Sequence, residues 1–146
     1  MNWKYEAIEK LKLYEAKKQS LGSIPVEIER LESAMKSIRS ATADGSPVKG
    51  GGSGREDMML SNIVHREELQ RRLSDARRWV DIVDGGLAVL SDEDRLVLDR
   101  FYIHPARGNV DRLCNELGLE DERSVYKRKD KALRKFTIAL YGTCEQ

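Results

Sequence analysis

The chain has little of what would let composition alone name its task. Net charge is nearly absent: 26 Lys and Arg stand against 25 Asp and Glu, a formal +1 over 146 residues. That balance provides no overall attraction to nucleic acid or to a membrane surface, though it leaves room for a local patch. Cysteine is limited to Cys114 and Cys144. Two thiols do not make a disulfide framework, and they suit a reduced, cytoplasmic setting. The two histidines, His65 and His104, lie far apart and offer no metal-ligand spacing. No apolar run approaches the roughly 18–20 residues that a bilayer span needs. Met1–Asn2–Trp3–Lys4 leads into a charged pattern rather than an apolar signal core, so no secretory signal is read there. Carboxylates are numerous but fall on charged helix faces, without a nucleophile, glycine loop or histidine partner beside them. Neither catalysis nor a cofactor nor a bound metal is expected.

Three prolines leave few breakers, and Leu, Lys, Glu and Arg dominate, all strong helix formers. An all-α fold follows. Trp3 to Ser20 reads as a first helix, with Ile8, Leu11 and Tyr14 on one side and Gly22 as its stop. A second is expected to begin near Ser23–Ile24–Pro25, where proline is tolerated in a first turn. Ile24, Ile28, Leu31, Met35 and Ile38 follow at 4, 3, 4, 3, a heptad seam. Residues 42–55 hold a run of glycines with Pro47 and read as a flexible loop. A phosphate-cradling loop is disfavoured there, because GxxxxGK[ST] is missing and no strand precedes it.

From Asp57 a long helical pattern carries a second seam: Leu69, Leu73, Ala76, Val80, Val83, Leu87, Leu90. An antiparallel hairpin, or a coiled coil closed by a partner chain, would bury both seams. Two helix-interior glycines cost roughly 1.6–2 kcal/mol relative to alanine. Asp84–Gly85–Gly86 therefore predicts a kink or break, dividing a helical module, 1–86, from a C-terminal domain, 87–146. Arg71, Arg72, Arg77 and Arg78 alternate with acidic residues and read first as a solvated face, second as a DNA-backbone stripe. Trp3 and Trp79 read as packing residues.

Ser91 to Asp94 resembles a capping box opening the next helix, with Asp94 a shorter stand-in for glutamate. That helix should end before His104–Pro105. Asn109 is a plausible cap for a short helix, Val110 to Leu117, ended by Gly118. Leu119 to Glu122 is a turn. A final helix runs from about Glu122 to Tyr141, with Val125, Ala132, Leu133, Phe136 and Leu140 inward. A short helix, a glycine-marked turn and a longer basic helix make the helix-turn-helix layout. Charge concentrates here. Arg123 to Lys135 holds seven basic residues against Asp130 alone, a surplus of six in a chain of net +1. Such a concentration on the second helix suits phosphate binding. Cys114 reads as a small buried hydrophobe where the two helices cross.

Leu90–Ser91–Asp92–Glu93–Asp94–Arg95–Leu96–Val97–Leu98 resembles the opening of region 4 of sigma-70-type factors. Arg112 to Leu119 resembles the first helix of its helix-turn-helix, and Val125 through Lys131–Ala132–Leu133–Arg134–Lys135–Phe136 its recognition helix and tail. The resemblance covers about 50 residues, and nothing resembling the promoter-melting region 2 accompanies it. The layout resembles small phage or prophage regulators of the ArpU/RinA type. Two departures stand out. The stretch from Gly118 to Val125 is one residue longer than usual, and Arg128 occupies a place that is usually apolar and inward.

A phage-type, sequence-specific DNA-binding transcriptional regulator is therefore expected, cytoplasmic and dimeric through its N-terminal helices. Contact with RNA polymerase is what the resemblance implies. The alternatives are a small-terminase-like DNA-packaging subunit, or a polymerase or sigma interaction protein that does not touch DNA. The expected base-reading residues are Ser124, Tyr126, Lys127 and Asp130. Asn109, Arg112, Arg123, Arg128, Lys131, Arg134 and Lys135 are expected on phosphates, with Arg128 snorkelling outward.

Overall fold

Asn2 begins the first helix as the sequence chemistry requires: its side-chain oxygen accepts a hydrogen bond from the Tyr5 amide at 3.1 Å. The computed structural model describes residues 1–43 and 52–145. The elements are α1 (Trp3–Lys12), α2 (Tyr14–Ala43), α3 (Gly52–Ala88), α4 (Asp92–Leu98), a π-helical turn (Asp99–Ile103), α5 (Asn109–Leu117) and α6 (Glu122–Tyr141). The fold is all-α, with no strand among the described residues. The chain forms two units, Met1–Lys17 with Arg78–Gln146, and Lys18–Arg77.

This division differs from the expected boundary at 86/87. α1 does not stay with the hairpin but packs on α6 and on the π-helical turn. Its buried Ala7 and Leu11 face that core, and the Trp3 and Tyr141 rings stack with centroids 4.8 Å apart. The last turns of α3 belong to the same unit. The Trp79 indole N–H donates to the Lys10 carbonyl at 3.0 Å, with the Lys10 ammonium 4.2 Å from the ring centroid. The Tyr14 hydroxyl donates to Asp84 Oδ1 at 2.6 Å. Burial first, then that bond and the charges of Asp84 and Glu15, push its pKa up to about 12.

Three helix boundaries depart from expectation. The first interruption falls at Leu13, and α2 then runs through Gly22 without stopping. Pro25 lies inside α2 rather than in a first turn. The neighbouring turns pack on α3, and this outweighs the single lost backbone bond. The expected loop at 42–55 narrows, since α2 reaches Ala43 and α3 starts at Gly52; 44–51 lie outside the described residues.

The Lys18–Arg77 unit is an antiparallel helical pair. Ile28 and Leu31 of α2 cluster with Leu69 of α3, and Ile24 packs against them. Asn62, one heptad before Leu69, is buried in the same seam. Its amide donates to the Leu31 carbonyl at 2.8 Å and accepts from Arg66 Nε at 2.8 Å. A buried polar pair of this kind specifies register, because any slip leaves the amide unsatisfied.

α3 does not break at Gly85–Gly86 but continues to Ala88. The two glycines differ in surroundings. A Cβ on Gly85 would meet nothing within 4 Å. A Cβ on Gly86 would lie 2.7 Å from Phe136 Cε2 and 2.9 Å from Leu140 Cδ2. Gly86 therefore lets α6 approach α3 closely, and burial against Phe136 offsets its helix cost. Substitution should separate the two in urea unfolding. Gly86→Ala should lower stability by about 1–3 kcal/mol through overpacking against a rigid ring. Gly85→Ala should raise it by about 0.5–1 kcal/mol, as an exposed helix-interior glycine replaced by alanine.

Candidate functional site

α5 and α6 are joined by four residues whose backbone chemistry is local. Gly118 takes φ +66°, the left-handed conformation glycine adopts without steric cost, and its N–H closes α5 on the Cys114 carbonyl. Asp121 caps α6 by accepting from the Ser124 amide at 2.9 Å. Those bonds, the backbone one first, hold its carboxyl below the usual carboxylate range. Both helices rest on one core, in which Val97, Leu113 and Val125 are fully buried. Phe101, Val110, Cys114, Leu117 and Leu119 pack around them. Of the other inward positions expected on α6, Ala132, Leu133 and Phe136 are buried and Leu140 is half-buried.

The α4–α6 contact turns on one carboxylate. Ser91 Oγ caps α4 by accepting from the Asp94 amide at 3.2 Å. The Asp94 side chain does not return to complete a capping box. It turns inward, 5% exposed, and takes Arg128 Nε at 3.1 Å and Lys135 Nζ at 3.3 Å. Arg128 also pairs with Glu93. Burial pushes the Asp94 carboxyl up, but hydrogen bonds from Arg128 and Lys135 and their charges outweigh it and hold the group below its ordinary range. This corrects the role expected of Arg128. It occupies its usually apolar place because α4 supplies acidic partners, and its guanidinium is held by Asp94 and Glu93 instead of extending freely outward.

The expected site residues fall into three sets. Arg123, Lys127, Lys131 and Arg134 are exposed and follow one another at spacings of four, four and three along α6. At 3.6 residues per turn these share one side. Asp130 lies on the same side, with Lys129 Nζ 3.5 Å from its carboxylate. Arg112 is exposed on α5. Tyr126, 44% exposed, meets Phe101 edge-on with centroids 5.8 Å apart, and Lys129 sits over both rings at 5.3 Å.

The remaining residues belong to the scaffold. Asn109 is buried and is not the α5 cap; Gly108 holds that position at φ +78°. The Asn109 amide donates to the Arg100 carbonyl at 2.6 Å and to the His104 carbonyl at 3.4 Å, groups at the π-helical turn. A widened turn leaves carbonyls to be satisfied, and Asn109 satisfies them. The Ser124 hydroxyl is already given to Asp121 at 2.9 Å. Lys135 is exposed but flanks Asp94 rather than sharing the basic side. Sequence reasoning missed Glu93, Asp94 and Lys129. The usable signal was an arginine at an inward position, which demands a buried counter-charge.

Both cysteines are free. Cys114 Sγ lies 3.5 Å from the Asp121 carbonyl, and burial, then the charges of Asp111, Glu122 and Asp121, push its thiol up. Such a group stays protonated and unreactive. Among the described residues no group of three or more His, Cys, Asp or Glu is placed to hold a metal, and no helix is long and apolar enough to cross a membrane. Comparisons with protein-family models, with curated proteins and with solved structures find no match.

The Asp94 contact makes a pH-dependent prediction. Its folded carboxyl lies below the unfolded value. Its contribution is therefore fully present above about pH 4 and is lost as pH falls through the lower folded value. Asp94→Asn should lower unfolding stability at pH 7 by about 1–3 kcal/mol, less than for a dry pair because Arg128 and Lys135 reach solvent. Urea midpoints for wild type and variant should converge as pH drops from 5 towards 3. A gap that stays constant would contradict the ion-pair account.

Proposed function

We propose that the chain is a sequence-specific DNA-binding regulator of the helix-turn-helix type, cytoplasmic, with α6 as its reading helix. The observation that carries this reading is the division of charge on α6. Arg128 and Lys135 are met by Asp94 and Glu93, whereas Arg123, Lys127, Lys131 and Arg134 share one exposed side. A cationic stripe along one side of a helix matches phosphates flanking a groove, and a helix of this diameter fits the major groove. The four-residue turn and the shared α5–α6 core support the same geometry. The likeness of residues 90–136 to sigma region 4 adds a transcriptional setting of phage type and a contact with RNA polymerase.

The roles divide by position. Lys127, near the α6 N-terminus, reads a base edge, with Tyr126 and Asp130 beside it. Arg123, Lys131 and Arg134 take phosphates from the stripe, and Arg112 does so from α5. Phosphate contacts position the helix and base contacts specify it.

Selection of bound duplexes from a random pool, followed by affinity measurement for each variant, tests both claims. Lys127→Ala should relax preference at one or two positions, by about 1–3 kcal/mol of discrimination. Lys131→Ala and Arg134→Ala should weaken all duplexes alike and reduce the salt slope by about 1 each. No enrichment of any sequence would remove the reading. In that case the acidic and basic surfaces of α4–α6 would favour a protein partner.

A further inference from the structure

The two heptad seams are satisfied within the chain: Ile28, Leu31 and Leu69 already bury one another, and Asn62 is held by Leu31 and Arg66. A partner copy cannot use those faces. The opposite side of α3 is different. Leu60 is 61% exposed and Val64 56%, and Ile63 beside them is 36% exposed. Asp57, Leu60, Val64, Glu67 and Arg71 follow at 3, 4, 3, 4, which is a second heptad stripe on the outward face.

We infer that this outward face of α3 pairs antiparallel with the same face of a second copy of the chain, about a two-fold axis at Val64. Charge selects both occupant and direction. Asp57 and Arg71 lie seven residues to either side of Val64 and carry opposite signs. An antiparallel two-fold pairing sets each Asp57 against the partner's Arg71, twice per dimer, with Val64 against the partner's Val64 and Leu60 along the aliphatic stem of the partner's Glu67. A parallel pairing would set Asp57 against Asp57 and Arg71 against Arg71. The isologous contact is closed, as most soluble homodimers are. Arg71 lies 3.1 Å from Glu68 in its own chain, an exposed pair that exchanges at small cost. The stripe spans about 21 Å, so the contact is small and its affinity modest. It stands independently of the DNA reading.

Sedimentation equilibrium over a wide concentration range, without DNA, tests the inference. Wild type should associate reversibly to a dimer. Leu60→Glu with Val64→Glu should weaken association at least about 10-fold, while thermal melts of the monomer stay unchanged because both side chains face solvent. Asp57→Arg alone and Arg71→Asp alone should each weaken it on the order of 3–10-fold, and the two together should restore it. A wild type that stays monomeric at every concentration would overturn the inference, leaving a different protein as the occupant. So would a dimer indifferent to Leu60 and Val64, or one that the charge swap fails to restore.

Discussion

A buried carboxylate next to an arginine and a lysine is the constraint around which the 78–146 segment is organised. Asp94 is nearly inaccessible, and a charge in that position costs several kcal/mol unless it is paired and hydrogen-bonded. Arg128 and Lys135, about two turns apart on α6, provide that pairing. The contact ties α4 to α6 at two heights and leaves α6 little freedom to rotate about its axis. Rotation is what decides which residues face outward. With Arg128 drawn inward, Arg123, Lys127, Lys131 and Arg134 occupy the exposed side together. One ion-paired contact thus determines both where the helix lies and which charges it presents.

The same contact offsets part of the local charge on α6. The surplus of six on residues 123–135 is not all available outside the protein. Part of it is matched by Glu93 and Asp94 of α4. An inward arginine at 128 looks like a defect in an otherwise regular apolar face only while α4 is left out. Close packing elsewhere is equally specific. Gly86 removes a side chain where Phe136 must approach, so a residue that weakens a helix in isolation becomes the condition for its docking.

Local chemistry was legible in the sequence, and non-local chemistry was not. Helix type, the α5 end at Gly118, the α6 span and its inward set follow from periodicity and caps, which act within one or two turns. The seam at Ile28, Leu31 and Leu69 was legible for the same reason. Three misreadings share a cause. The predicted stops at Gly22 and Gly85–Gly86 weigh glycine by propensity, whereas packing on neighbouring helices decides the outcome. Asn109 looked like a donor for a ligand, but its partners are carbonyls of the preceding π-helical turn; Ser124, given to the α6 cap three residues before it, was within local reach and was missed. Arg128 carries an inward signal in its spacing, yet its counter-charge lies 34 residues earlier, beyond the reach of any local pattern. Asn62, one heptad before Leu69, was not read from the sequence, because its role depends on a carbonyl of α2.

The central claim is that four cations of α6, rather than seven, meet DNA. The slope of log affinity against log salt, measured on a short duplex that accommodates one protomer, tests it most directly. Each neutralised phosphate contributes about −0.9. The partition described above, with Arg123, Lys131 and Arg134 of α6 and Arg112 of α5 on phosphates and Lys127 on a base, predicts a slope of about −3.6, rising in magnitude to about −4.5 if Lys127 also neutralises a phosphate. A slope near −6, which all seven cations would give, would contradict the assignment of Arg128 and Lys135 to Asp94. Weak binding that is flat with salt would contradict the DNA-binding reading itself.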